Sequence, residues 1–181
     1  MTHLIAVHEH GSSNPLGVDA NVDRLPIGPH FLFKDLVTIF AYGALIIGLL
    51  SYTPNWLGHG DNYIPANPIV TPASIVPEWY LLPYYAVLRS VPNKLAGVFL
   101  ILASLLILLI LPIVDTHALR GSILRPAYRV CFWSLAAVFY LLFLLGAIHA
   151  EAPWTTAGQV LTSLYFLAFT AGFPLAKLLS R

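Results

Sequence analysis

Four stretches of this chain, 36–52, 95–114, 130–148 and 157–179, are almost free of charge. Each comes near the roughly 20 apolar residues that a helix needs to cross a hydrocarbon core about 30 Å thick. No other feature limits the fold as strongly. A bilayer offers no water to backbone N–H and C=O groups, so a spanning segment must satisfy them internally. The sequence therefore reads as an all-α membrane bundle of four transmembrane helices. The first stretch, about 17 residues, is the shortest and lies in the lower range for a span; Thr53-Pro54-Asn55-Trp56 closes it with a breaker and an interfacial aromatic. Pro112 and Pro174 fall late in two others, where a helix ends or kinks.

Charge supports the same class. Only 9% of residues are charged, against roughly 25% in soluble domains, too few to coat a water-soluble surface. The net charge of +1 and the scattering of the basic residues exclude a nucleic-acid footprint. Cys131 is the single cysteine, which excludes a disulfide framework or a multi-cysteine metal site within the chain. The first eight residues, Met1 to His8, carry neither a secretory signal pattern nor an Arg-rich transit pattern.

If the four helices alternate across the membrane, Arg24, Lys34, Arg120, Arg125, Arg129, Lys177 and Arg181 share one side, and Arg89 and Lys94 lie on the other. Seven against two is a positive-inside bias that puts both termini on the inner face. The connection from Thr53 to Lys94 then lies outside. It holds seven of the fourteen prolines, so it admits no long helix. Its rings Trp79, Tyr80, Tyr84 and Tyr85 argue for short helices packed on the membrane face rather than for disorder.

Within that connection Glu78 is the sole charge between Asn62 and Leu88. A carboxyl set among aromatics near a membrane has its charged form disfavoured and suits proton exchange near neutral pH. An interfacial glutamate that hydrogen-bonds its own loop is the plainer alternative. At the other membrane face the sequence groups His3, His8, Ser12, Lys34 and Asp35. His3 and His8, five residues apart, are turned about 140° from each other on a helix, so they belong to different sites. A polar N-terminal tail with interfacial anchors at Lys34 and Asp35 is the alternative there. His59 and His149 receive no metal.

The run Pro77-Glu78-Trp79-Tyr80, followed by Leu88-Arg89-Ser90-Val91-Pro92-Asn93-Lys94, resembles the quinol-oxidation loop of the cytochrome b family of respiratory complex III. Asp61-Asn62-Tyr63-Ile64-Pro65-Ala66-Asn67-Pro68 and Gly11-Ser12-Ser13-Asn14-Pro15-Leu16-Gly17 look like two further signature stretches of it, in the right order. The likeness runs from residue 1 to about residue 175 and corresponds to the C-terminal portion of the family.

By that resemblance Glu78 is the proton acceptor for quinol at an outer (Qo) site, with Pro77, Trp79, Tyr80 and Leu81 shaping the loop and Tyr85 lining the pocket. Leu81 stands where an aromatic is common, which bears on ring packing and inhibitor sensitivity. His8, Ser12, Lys34 and Asp35 correspond to an inner quinone-reducing (Qi) site. His3 corresponds to an axial ligand of haem b, the opposing ligand lying on an N-terminal part outside this chain. That part is missing either because the chain is a fragment or because the protein is naturally split. Residues 1–33 would be the end of the haem-ligand helix and an inner loop, and 34–181 the C-terminal domain, with spans near 34–53, 95–114, 128–149 and 157–179 and the quinol-site loop at 54–94.

The resemblance implies ubiquinol:cytochrome c oxidoreductase activity only in an assembled, dimeric complex, not in the isolated chain. Expected partners are the N-terminal part of cytochrome b, the Rieske iron-sulfur protein, cytochrome c1 and other subunits. The expected location is the mitochondrial inner membrane, with the bacterial cytoplasmic membrane as alternative. Two other readings are a chloroplast-type split subunit, against which His3 and the fourth span speak, and a structural membrane subunit or small transporter without quinone dependence.

Overall fold

The computed structural model describes residues 1–12, 14–19, 21–72, 75–116 and 121–179. Arg120 and Arg181, counted in the charge asymmetry, together with His117 and Ser13, lie outside the described residues. Among the described residues the chain is helical throughout, with no strand. Four helical segments are long and apolar enough to span a membrane: Ile27–Tyr52, Lys94–Val114, Pro126–Ala147 and Trp154–Leu179. The chain forms two compact units, Met1–Ile69 and Val70–Arg181.

The first unit carries α1 (Thr2–His10) and α2 (Leu32–Tyr52), the latter entered through a kinked turn at Ile27–Phe31 in which Gly28 is extended. Neither helix buries a residue. After Tyr52 the chain turns at Pro54 and makes a short 3-10 turn, Gly60–Tyr63. The Tyr63 hydroxyl donates to Asn55 Oδ1 at 2.8 Å, and His59 Nδ1 accepts from the Asp61 amide at 3.3 Å.

The second unit is a packed bundle. A 3-10 turn at Trp79–Leu81 leads into α3 (Leu82–Arg89). Asn93 caps α4 (Lys94–Leu106), its side-chain oxygen accepting from the amides of Leu95 and Ala96 at 2.9 and 3.2 Å, as N-cap asparagines do. Pro112 has no N–H and its ring crowds the turn before it. Accordingly the helix tightens to a 3-10 turn at Ile107–Ile110 before resuming as α5 (Leu111–Val114). Helix α6 (Pro126–Ala147) starts on a proline at its first position, where the missing donor costs nothing. Pro174 has the opposite effect to Pro112: between α7 (Trp154–Leu167) and α8 (Phe173–Leu179) the backbone widens into a π turn at Ala168–Gly172.

These helices run up, down and up. At one end Arg125 meets Asp115, and Lys177 donates to the Thr116 hydroxyl; at the other, α3 lies against the end of α6 and the start of α7. The core between them is built from Ala86, Val87, Ile107, Leu142, Leu145, Tyr165, Phe169 and Phe173. Tyr165 places its hydroxyl on the carbonyl of fully buried Ser104 at 2.8 Å, so the one polar tip in that aromatic stack is satisfied inside the bundle. Much of the remaining apolar surface, Val98, Phe99, Val130 and Trp133 among it, faces outward, as lipid-facing residues of a bundle do.

Candidate functional site

The second unit fixes the position of the segment around Glu78. Helix α3 sits on two glycines. A side chain at Gly97 of α4 would bring its Cβ within 2.6 Å of the Leu88 carbonyl oxygen, and one at Gly146 of α6 would overlap the Leu82 carbonyl. Backbone therefore rests directly on backbone at both ends of a helix of 8 residues. Leu82, Pro83, Ala86 and Val87 are buried beneath it.

The segment before Glu78 is tied to the same helix. The Tyr85 hydroxyl donates to the Ile75 carbonyl at 2.9 Å, and the Arg89 guanidinium lies 4.5 Å above the Tyr85 ring. Pro77-Glu78-Trp79-Tyr80 is thus bracketed by an anchored residue on each side. Glu78 opens the 3-10 turn, its carbonyl accepting from the Leu81 amide at 2.9 Å. Pro77 and Glu78 are half-buried, whereas Trp79, Tyr80 and Leu81 are exposed, with the Trp79 and Tyr80 rings edge to face at 5.7 Å. Tyr85 is half-buried and has its hydroxyl engaged by Ile75.

His3, His8, Ser12, Lys34 and Asp35 all lie in the first unit, on separate elements: His3 and His8 on α1, Ser12 just after it, Lys34 and Asp35 in the first turn of α2. All are exposed, and among the described residues no hydrogen bond or ion pair joins them to one another. Thr38 donates to the Asp35 carbonyl at 2.8 Å, leaving the Asp35 carboxylate outward. Among the described residues no cluster of three or more His, Cys, Asp or Glu could hold a metal ion. His3 offers a single exposed imidazole, and α1 turns His8 away from it.

Four cavities of the second unit lie elsewhere. A small one, about 20 Å³, opens between α3, the end of α6 and the start of α7, lined by Arg89, Ser90, His149, Trp154 and Thr155. Apolar grooves of about 280, 420 and 700 Å³ run between α6 and its neighbours. None of these four is lined by Glu78.

In the sequence Arg89 stands as a charge for topology and as part of the Leu88–Lys94 motif, with no role of its own. In the structure it is the hub of this region: Nη2 donates to the carbonyls of Leu145 and Gly146 at 2.7 and 3.3 Å. Its isolation as the one cation between Lys34 and Lys94 was the available signal. At the opposite end of the bundle Arg125 is 3% exposed, pairs with Asp115 at 2.6 Å and lies 4.2 Å above the Tyr128 ring.

Comparison with known proteins supplies the family. The profile described as "Cytochrome b(C-terminal)/b6/petD" matches residues 65–166, which takes in the Glu78 turn, α3 to α6 and most of α7. Cytochrome b of Mycosarcoma maydis is 56% identical over 172 residues, covering 95% of this chain and 44% of that protein. The Saccharomyces cerevisiae protein is 51% identical over 167 residues, covering 92% and 43%. A chain of the solved hyperthermophilic respiratory Complex III superposes with a TM-score of 0.89 at 31% identity, over 99% of this chain and 46% of its own length. The chain therefore spans a little less than half the length of the relatives it matches.

Proposed function

We propose a function from one premise: the chain belongs to the cytochrome b family and corresponds to its C-terminal region. On that basis it is the part of ubiquinol:cytochrome c oxidoreductase that presents the quinol-oxidising turn on the outer membrane face and contributes to the quinone-reducing site on the inner one. It works in the assembled, dimeric complex, with the N-terminal part of cytochrome b, the Rieske iron-sulfur protein and cytochrome c1 as partners. The fungal relatives and the four apolar helices favour the mitochondrial inner membrane.

The observation that carries this reading is the bracketed turn. Glu78 is held half-buried between two anchored points, Ile75 through Tyr85 and Leu82 on Gly146, inside the stretch that matches the family profile. A carboxylate so placed accepts the proton of a quinol hydroxyl as the O–H bond breaks and an electron leaves for an acceptor outside this chain. Complete oxidation releases two electrons and two protons. Pro77, Trp79, Tyr80 and Leu81 shape the entrance and Tyr85 holds it. On the inner side His8, Ser12, Lys34 and Asp35 would supply the hydrogen bonds and protons that a quinone takes up on reduction. His3 would be a ligand of haem b, which when bound would supply one-electron transfer; a further ligand would come from outside this chain. The electron chemistry belongs to the cofactors, and position and proton transfer belong to this chain.

Glu78→Gln in the assembled complex tests the outer site, because it removes a proton acceptor at nearly constant volume. Quinol oxidation per haem should fall by about 10²-fold, with haem content and haem reoxidation through the inner site retained. Unchanged turnover with a normal pH profile would remove Glu78 from the mechanism.

A further inference from the structure

We infer that Arg89 is the positioning residue of the Pro77–Tyr80 turn, an inference that rests on the quinol-site reading of Glu78. The argument begins at the end of α6. A helix leaves its last carbonyls without intrahelical partners, and those of α6 receive no left-handed glycine cap, since Ile148 is extended after Ala147. The Leu145 carbonyl accepts from the Ile148 amide at 3.1 Å, and Arg89 adds a donor from another helix, one terminal nitrogen donating to the carbonyls of Leu145 and Gly146. A cation at a helix C-terminus is also favoured by the helix dipole.

The same guanidinium lies over the Tyr85 ring, its Cζ 4.5 Å from the ring centre, and the Tyr85 hydroxyl donates to the Ile75 carbonyl. A continuous set of contacts thus runs from the end of a membrane-spanning helix to the residue two places before Pro77. On the far side of the turn, Leu82 rests on Gly146, whose carbonyl Arg89 also engages. Both ends of the turn are therefore referred to one fixed point.

Packing alone does not account for an arginine here. Among the described residues its guanidinium meets no carboxylate, and its Nε is buried without a partner, a state that costs stability. What the guanidinium supplies is a planar group that stacks on a ring and donates at its edge at once. Lysine reproduces the charge without the plane, and methionine reproduces the stem without either.

The test compares Arg89→Met, Arg89→Lys, Tyr85→Phe and the Arg89→Met/Tyr85→Phe pair in the purified complex, each normalised to haem. Arg89→Met should lower kcat for quinol oxidation about tenfold, as small displacements of a reacting group do, while haem reoxidation through the inner site stays at the wild-type rate. Arg89→Lys should lose less, and Tyr85→Phe should add little once Arg89 is methionine, because both act through one set of contacts. Wild-type kcat in Arg89→Met, equal losses at both quinone sites, or losses that multiply in the double variant would overturn the inference. Should Arg89→Met fail to assemble, Arg89→Lys carries the test: reduced kcat with a normal inner-site rate supports it and wild-type kcat refutes it. Glu78→Gln, measured alongside, separates the two claims. If it leaves turnover intact, the quinol-site reading itself falls; if it slows turnover while the Arg89 variants do not, only the role of Arg89 falls.

Discussion

Helices α2 and α6 are almost the same length, 21 and 22 residues, and both are apolar enough to span a membrane. Yet α6 buries Leu142, Leu145 and Gly146, and α2 buries nothing. Both contain glycines. Gly146 lies under the α3 backbone, whereas a methyl group on Gly43 or Gly48 of α2 would meet nothing within 4 Å. Hydropathy reports the solvent of a helix, not its neighbours. In lipid, neighbours are chosen by small residues that let backbones approach and by a few polar contacts. Helix α6 has both kinds within the second unit, in Gly146 and in the terminal carbonyls that Arg89 engages.

The strongest way to break this contrast is to enlarge the glycines. Gly146→Val should displace α3 and destabilise the purified complex by about 3 kcal/mol or more, read as a large fall in thermal midpoint by circular dichroism. Gly48→Ala should cost nothing and gain up to about 1 kcal/mol from helix propensity. A loss at Gly48 equal to that at Gly146 would mean that α2 rests tightly on a partner outside this chain. Next in size is Asp115→Ala, which strands Arg125 in its buried position; removing one partner of such a pair costs about 3 kcal/mol, and among the described residues α2 has no comparable charge pair to lose. A midpoint within a degree of wild type would show that Arg125 reaches water or lipid phosphate. The smallest effect sharpens the contrast: Tyr165→Phe frees the Ser104 carbonyl and should cost about 1 kcal/mol, with Tyr42→Phe on exposed α2 as the neutral control.

Much of the architecture was legible in the sequence. The apolar stretches announced four spans, and Pro112 and Pro174 announced the disturbed turns at Ile107–Ile110 and Ala168–Gly172. The helices overrun the apolar stretches where capping allows it: α6 begins at Pro126 because proline suits a first turn, four residues before the apolar run at Val130. The proline-rich connection does hold only short helices, as its composition required. The Glu78 turn was legible through its motif, although its anchors were not. Arg89 and Tyr85 bond to backbone carbonyls of Leu145, Gly146 and Ile75, and a carbonyl acceptor leaves no trace in residue identity. Likewise Gly97 and Gly146 look like any other helix glycine until α3 is laid across them.

The hydrogen bond that closes α6 also has a direction in time. Arg89 precedes Leu145 by 56 residues, and chains fold from the N-terminus as they are made, so the donor has already been made when the last turn of α6 emerges. At the other end of the bundle, Thr116 must wait for Lys177, 61 residues later. Asp115 and Arg125 are also made before Leu145, so a chain stalled just beyond α6 would already hold both the anchors of the Glu78 turn and the Arg125 pair, and would still await Lys177.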